Sequence, residues 1–160
     1  MPSEIVLKCA AALAKNKLHI AFVESATAGR MCSEFSLSPE SGKILRGGIS
    51  CYEVFVKEQI LKVPHQLIET CTPESREVTQ LLAKNGSRLF NSKVTVAVTG
   101  LTTSGGSEGP DKPVGTMFIG IKTPAQEYLH KEVFSGEPEE IVLKTIDKAA
   151  ALIIELVDGK

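Results

Sequence analysis

Apolar side chains recur along this chain with two periods, and the alternation between them predicts the architecture. Over residues 3–16, Ile5, Cys9 and Leu13 stand four apart with Val6 and Ala10 beside them, the stripe of a helix that Ser3 can cap. His19-Ile20-Ala21-Phe22-Val23 is then a short, almost wholly apolar run, as expected of a strand covered on both faces. It stops in the turn Glu24-Ser25-Ala26-Thr27-Ala28-Gly29, and residues 28–37 enter a second helix. A strand fits Gly48–Tyr52 and a helix Phe55–Leu61, while Pro64-His65 reads as a turn. Thr72-Pro73 signals a helix start, a hydroxyl cap followed by a residue with no amide donor. Val78, Leu81, Leu82, Asn85 and Leu89 mark one face of that helix as far as Phe90. Val94–Val98 is another buried-type strand. Residues 114–122 and 127–134 read as two strands joined by a turn at Thr123-Pro124, so part of the sheet is antiparallel. Val142, Ile146, Ala149, Ile153 and Leu156 alternate steps of four and three along a last helix. The expectation is a single domain over residues 1–160, a three-layer α/β/α sandwich with a mixed, partly parallel sheet.

Composition narrows the function classes. Eighteen Lys and Arg oppose nineteen Asp and Glu, a formal net charge of -1 with no basic block, which argues against nucleic-acid binding. Aromatic residues make up only 5% and Trp is absent, so base-stacking platforms are not expected. No apolar run approaches the roughly 20 residues that span a bilayer, and the N-terminus lacks the pattern of a secretory signal. Cys9, Cys32, Cys51 and Cys71 form no Cys-x-x-Cys pair and have no His at zinc-finger spacing. Reduced, mostly buried thiols in a cytoplasmic protein are the expectation.

The polar chemistry is concentrated where apolar strands end, the usual position of sites in open α/β sheets. Ser25 stands where the first strand gives way to the turn, a place where a hydroxyl is held rigid and exposed, as a nucleophile must be. The same turn feeds a helix, whose amides and dipole favour an anion such as phosphate, with Thr27 adding a hydroxyl donor. Taken singly, Ser25 and Thr27 also read as helix caps. The stretch from Gly100 to Pro113 contains four glycines and no large apolar side chain after Leu101, so its backbone amides can approach a ligand. It lacks the Gly-Lys-Ser/Thr ending of a phosphate-binding P-loop and the dinucleotide glycine pattern, and it also fits a flexible surface loop. Lys57 can serve as a base only if burial or a nearby cation lowers its pKa; otherwise it is a solvated charge. His19, His65 and His130 have no mutual spacing of a ligand set or triad, and the acidic pair Glu139-Glu140 complements the dipole of the last helix.

Together, the order and spacing of these segments resemble the C-terminal domain of the competence-damage-inducible CinA family, whose active members are nicotinamide mononucleotide deamidases. Glu24-Ser25-Ala26-Thr27-Ala28-Gly29 stands where that family shows Glu-Ser-Cys-Thr-Gly-Gly. Gly47-Gly48, a short strand, Tyr52 and Lys57 keep the separation of its second signature, Gly-Gly followed by Tyr-Ser-Asn-x-x-Lys. Val98-Thr99-Gly100, Gly105-Gly106 and Lys112-Pro113-Val114-Gly115-Thr116 follow the third and most specific one.

The resemblance implies hydrolysis of the carboxamide of nicotinamide mononucleotide to nicotinate mononucleotide and ammonia, with no metal or cofactor. Carried over by position, Ser25 is the nucleophile, Lys57 its base and later proton donor, and Tyr52 orients the transfer or steadies the oxyanion. Glu24, Thr27, Gly29, Gly100, Thr102, Thr103, Gly105 and Gly106 are the expected substrate-binding residues. A homodimer and a stand-alone form without the family's N-terminal domain are expected on the same ground. The sequence departs from the pattern at Ala26, Ala28, Glu53, Val54, Thr103 and Ser104. These departures keep open a catalytically weakened nucleotide-binding or regulatory paralogue, and a scaffold acting through protein contacts is a third class.

Overall fold

The computed structural model describes residues 1–159. Its elements, in chain order, are α1 (Glu4–Lys15), β1 (Ile20–Glu24), α2 (Arg30–Ser36), α3 (Ser41–Ile44), β2 (Leu45–Ser50), α4 (Val54–Gln59), α5 (His65–Cys71), α6 (Arg76–Phe90), β3 (Val94–Gly100), β4 (Thr116–Lys122), β5 (Glu127–Val133) and α7 (Pro138–Asp158). Among the described residues no helix is long and apolar enough to cross a membrane.

The five strands form one sheet in the order β2-β1-β3-β4-β5. β1 runs parallel to both β2 and β3, whereas β3–β4 and β4–β5 are antiparallel. The expected mixed sheet is therefore present. The two-residue period of each strand divides its side chains between two cores. Ile20 and Phe22 of β1, Val94, Val96 and Val98 of β3, and Met117, Ile119 and Ile121 of β4 pack with α1, α2 and α7. Val23 and Ala97 face the other way, against α5, α6 and the segment after α4 through Leu61, Ile68, Val78, Leu82 and Ala83. Helix, sheet and helix make the three layers that the apolar patterning requires.

Several boundaries differ from the sequence expectation. β2 starts at Leu45, three residues before the predicted strand, and Tyr52 lies beyond its end. The stretch from His65 is a helix, because Pro64 serves as its N-cap and Leu67 and Ile68 turn to the core. Thr72-Pro73 does not open α6. Thr72 closes α5 with φ 72°, and Ser75 caps α6 by accepting from the Val78 amide. α7 matches its stripe and carries a capping box between Glu137 and Glu140 with Pro138 at its first position. All four cysteines are free, Cys9 and Cys51 buried and Cys32 and Cys71 half-buried.

α6 lies close against the sheet because Gly86 has no side chain. A Cβ there would collide with Val23 Cγ2 and meet Thr95 Cγ2 at 3.2 Å. Gly86→Ala is expected to destabilise the fold by about 1–3 kcal/mol through overpacking, despite alanine's better helix propensity. Urea denaturation of the two proteins checks this.

Candidate functional site

The parallel strands β1, β2 and β3 end at one edge of the sheet, at Glu24, Ser50 and Gly100. The chain passes from β1 to β2 on one side and later to β3 on the other, so strand order reverses at β1 and a crevice opens there. Ser25 is the first residue past β1. Its amide donates to Val98 O at 2.9 Å, which ties it to β3. The Cys51 amide donates to Glu24 O at 2.8 Å and ties the segment after β2 to the same point. α4 begins three residues later and brings Lys57 back under Ser25.

Lys57 is 1% exposed. Its Nζ donates to Cys51 O at 2.6 Å, lies 3.5 Å from Tyr52 O, and stands 3.0 Å from Ser25 Oγ. It forms no ion pair with a carboxylate among the described residues. Burial pushes its pKa below the ordinary value of 10.5, against smaller opposing influences of the Cys51 thiol and Glu74. A neutral amine has two N–H donors and one lone pair. Nζ stands among three oxygens, donating to Cys51 O and Ser25 Oγ with Tyr52 O at the limit of reach, a placement from which the amine, once deprotonated, can accept the proton of a hydroxyl. The reading of Lys57 as a solvated charge does not hold. Ser25 is not a helix cap either, since α2 begins after Gly29 with no side-chain cap.

The other expected site residues divide. Tyr52 lines the crevice, but its side chain is 70% exposed and its phenol has no hydrogen-bond partner among the described residues. Its contribution to Lys57 is its backbone carbonyl. Glu24 and Thr27 are buried and point away from the crevice. The Glu24 carboxylate accepts from Thr27 Oγ1 at 2.7 Å and from the Met31 and Cys32 amides at 2.7 and 3.0 Å. The first-turn donors of α2, expected to hold a phosphate, are thus satisfied from within the chain, and Thr27 stabilises that carboxylate rather than a ligand. Gly29, at φ 94°, supplies the left-handed residue that enters α2. Ala28 precedes it at φ 47°, so alanine occupies a conformation that favours glycine.

The crevice itself is a cleft of about 240 Å³ lined by Ser25, Ala26, Tyr52, Glu74 and the loop from Gly100 to Gly106. Gly100, Thr102, Thr103, Gly105 and Gly106 are thus among the residues of the cleft wall. The amides of Gly105 and Gly106, however, donate to the Glu108 carboxylate at 2.7 and 2.8 Å. Those backbone bonds hold the Glu108 carboxyl below its usual range. Glu74 was not anticipated. It arrives from the α5–α6 turn, accepts from Ser107 Oγ at 2.5 Å, and its carbonyl accepts from Lys112 Nζ at 2.9 Å. Lys112 also donates to Thr72 Oγ1 at 2.7 Å, so the turn and the glycine loop are laced together. The helix-start signal at Thr72-Pro73 drew attention to this turn without revealing that it reaches the cleft. A larger apolar groove between Ile60–Pro64 and α6 carries no nucleophile. Among the described residues no group of three His, Cys, Asp or Glu is disposed to hold a metal ion.

Comparison with known proteins identifies the family. The family model described as the CinA C-terminal domain matches residues 3–157. The chain belongs to that family. It is 33% identical over 130 residues to a CinA-like protein of Desulfotalea psychrophila, covering 81% of this chain and 31% of that protein. It is 32% identical over 136 residues to a CinA-like protein of Prochlorococcus marinus, covering 84% and 31%. The chain thus spans about a third of the length of these curated relatives. Among solved structures, a CinA superfamily protein from Klebsiella pneumoniae superposes with TM-score 0.91 at 20% identity over 98% of both chains. One from Escherichia coli gives 0.88 at 24% identity over 95% of this chain and 88% of that one. These likenesses carry the α/β fold. Ala28 holds a glycine-type backbone conformation without glycine.

Two outcomes follow. Ala28→Gly is expected to raise stability by about 0.5–1 kcal/mol, the relief of left-handed strain exceeding the added chain entropy, as read by urea midpoints. For Lys57, the unfolded chain binds more protons than the folded one between its lowered pKa and 10.5, so its contribution to stability rises with pH through that window. Burial raises the Cys51 thiol to about 11, which acts in the opposite direction above its ordinary 9.0. The stability of Lys57→Met minus that of wild type, measured by urea unfolding as pH rises towards 10.5 with Cys51 present in both proteins, should therefore fall.

Proposed function

We propose that this chain is an amidohydrolase that cleaves the carboxamide of a pyridine nucleotide, with nicotinamide mononucleotide, the substrate implied by the CinA resemblance, as the reference substrate. The observation that carries this reading is the 3.0 Å approach of a buried lysine amine to the hydroxyl of Ser25 at the mouth of a cleft. In the first half-reaction Ser25 Oγ attacks the carboxamide carbon while its proton passes to Lys57 Nζ. The tetrahedral oxygen meets amide donors. The Ala26 amide, directly after the nucleophile and with no acceptor among the described residues, is the nearest in sequence. Collapse breaks the C–N bond, Lys57 returns the proton to the departing nitrogen, and ammonia leaves. Water then attacks the acyl-serine as Lys57 takes one of its protons, Lys57 returns that proton to Ser25 Oγ as the C–O bond breaks, and the acid leaves as carboxylate after losing its own proton to solvent.

The departures at Ala28, Glu53 and Val54, together with the unpartnered Tyr52 phenol, favour a second reading, a weakened paralogue that binds nucleotide without turning it over. Ammonia release with wild type, Ser25→Ala and Lys57→Ala separates the two. Each substitution is expected to lower kcat by about a thousandfold or more, as when one member of a nucleophile–base pair is removed. The wild-type rate should rise with pH as Lys57 loses its proton. Equal rates in all three proteins would overturn the amidohydrolase reading, and binding without turnover in wild type would establish the paralogue.

A further inference from the structure

Attack by Ser25 creates charge in a place that water does not reach. As the Oγ–C bond forms, the carbonyl π pair moves to oxygen and the hydroxyl proton passes to Lys57 Nζ, so a buried neutral amine becomes a buried ammonium. Such a cation is unfavourable out of water unless a negative group lies within electrostatic reach. In contact it has only a hydroxyl and carbonyls, and no carboxylate pairs with it among the described residues.

Ionisable groups surround Lys57 on several elements. Cys51, just before α4, is buried, and its thiol, pushed up to about 11, stays neutral through the ordinary pH range. Tyr52 and Glu53 of the same segment are exposed, and Glu58, next to Lys57 on α4, pairs with His65 of α5. Glu24, at the end of β1, is engaged by Thr27 Oγ1 and the Met31 and Cys32 amides. Glu74, from the turn between α5 and α6, differs from all of these. It lines the same cleft as Ser25 and supplies the one carboxylate of that lining among the described residues. Ser107 Oγ donates to the carboxylate at 2.5 Å and Lys112 Nζ donates to the Glu74 carbonyl at 2.9 Å, so its place is fixed from two sides. Burial disfavours a charge on Lys57, and Cys51 and Glu74 act against that. We propose that Glu74 is the counter-charge of the site, its carboxylate stabilising, from the cleft wall, the ammonium that forms at Lys57 when Ser25 gives up its proton. This rests on the amidohydrolase reading and adds to it a residue that acts through Lys57 rather than on the substrate.

A carboxylate that favours the ammonium makes Lys57 a stronger base but leaves fewer molecules deprotonated at a given pH. Below the Lys57 midpoint the two effects nearly cancel, and above it only base strength counts. The test uses Glu74→Gln, which keeps an acceptor for Ser107 and removes the charge, and Glu74→Asp, which keeps the charge, each checked for folding by circular dichroism. With saturating nicotinamide mononucleotide, the midpoint of the rise of kcat with pH should lie about 0.3–1 unit lower in Glu74→Gln than in wild type, the size of a unit-charge interaction through partly solvated surroundings. Its alkaline plateau should be about two- to tenfold lower, and the two profiles should converge at low pH. Glu74→Asp should lie nearer to wild type. An unshifted midpoint, or a loss by the same factor at every pH as a structural defect would give, overturns the proposal. If no protein turns the nucleotide over, the amidohydrolase reading fails separately, and Lys57 is titrated directly through the NMR signal of its ε-methylene, assigned with Lys57→Met. A lower midpoint in Glu74→Gln then upholds the electrostatic link, and equal midpoints overturn it. Glu74→Ala takes the place of the glutamine variant if that protein does not fold.

Discussion

The structure depends on an amine held out of water opposite a hydroxyl. A lysine side chain is almost never buried without a partner, because removing an ammonium from water is far more unfavourable than removing a neutral amine. At Lys57 the fold meets this by supplying neutral acceptors, the carbonyls of Cys51 and Tyr52, and no ion-paired carboxylate. The same burial that depresses the pKa also fixes the amine beside Ser25 Oγ, so the shift and the geometry have one cause.

The architecture was legible because its signals are local. Continuous apolar runs at Ile20–Val23 and Val94–Val98 require a covered strand, and the stripe of the last helix admits one periodicity. The errors arose where local chemistry has two uses. Thr72-Pro73 has the composition of a helix start, yet Thr72 ends one helix with a positive φ and the hydroxyl cap of the next is Ser75. His65 follows a proline that reads as a turn, yet that proline is itself a cap. Ser25 and Lys57 could be singled out by type and position, but their 3.0 Å separation spans 32 residues and is set by strand pairing, which periodicity does not encode. Glu74 was invisible for the same reason. Its element faces the cleft only through tertiary packing.

The polar segments also show how a loop suited to a ligand can be satisfied from within. Unpaired amides at a helix entrance or in a glycine turn are electropositive whether or not a substrate is present. In this chain Glu24 and Glu108 meet that demand. The two carboxylates differ in consequence. Glu24 is buried and reinforces the turn that presents Ser25, whereas Glu108 is exposed on a loop and sits on cleft-forming backbone. Reading anion affinity from the sequence alone assigned both places to an external group, since spacing does not reveal which acidic side chain folds back.

The alignment of β1 with β2 has a wider meaning for how this chemistry comes into being. Glu24 pairs with Ser50, and a bulge between Ile20 and Ala21 adjusts the pairing so that the two strand ends coincide. Sliding one strand by a single residue would carry the lysine-bearing segment about 3.3 Å along the sheet and turn its side chains to the opposite face. The serine would then meet no acceptor for its proton. The 3.0 Å approach of amine and hydroxyl therefore exists only in the correctly registered sheet, and a mispaired chain lacks it.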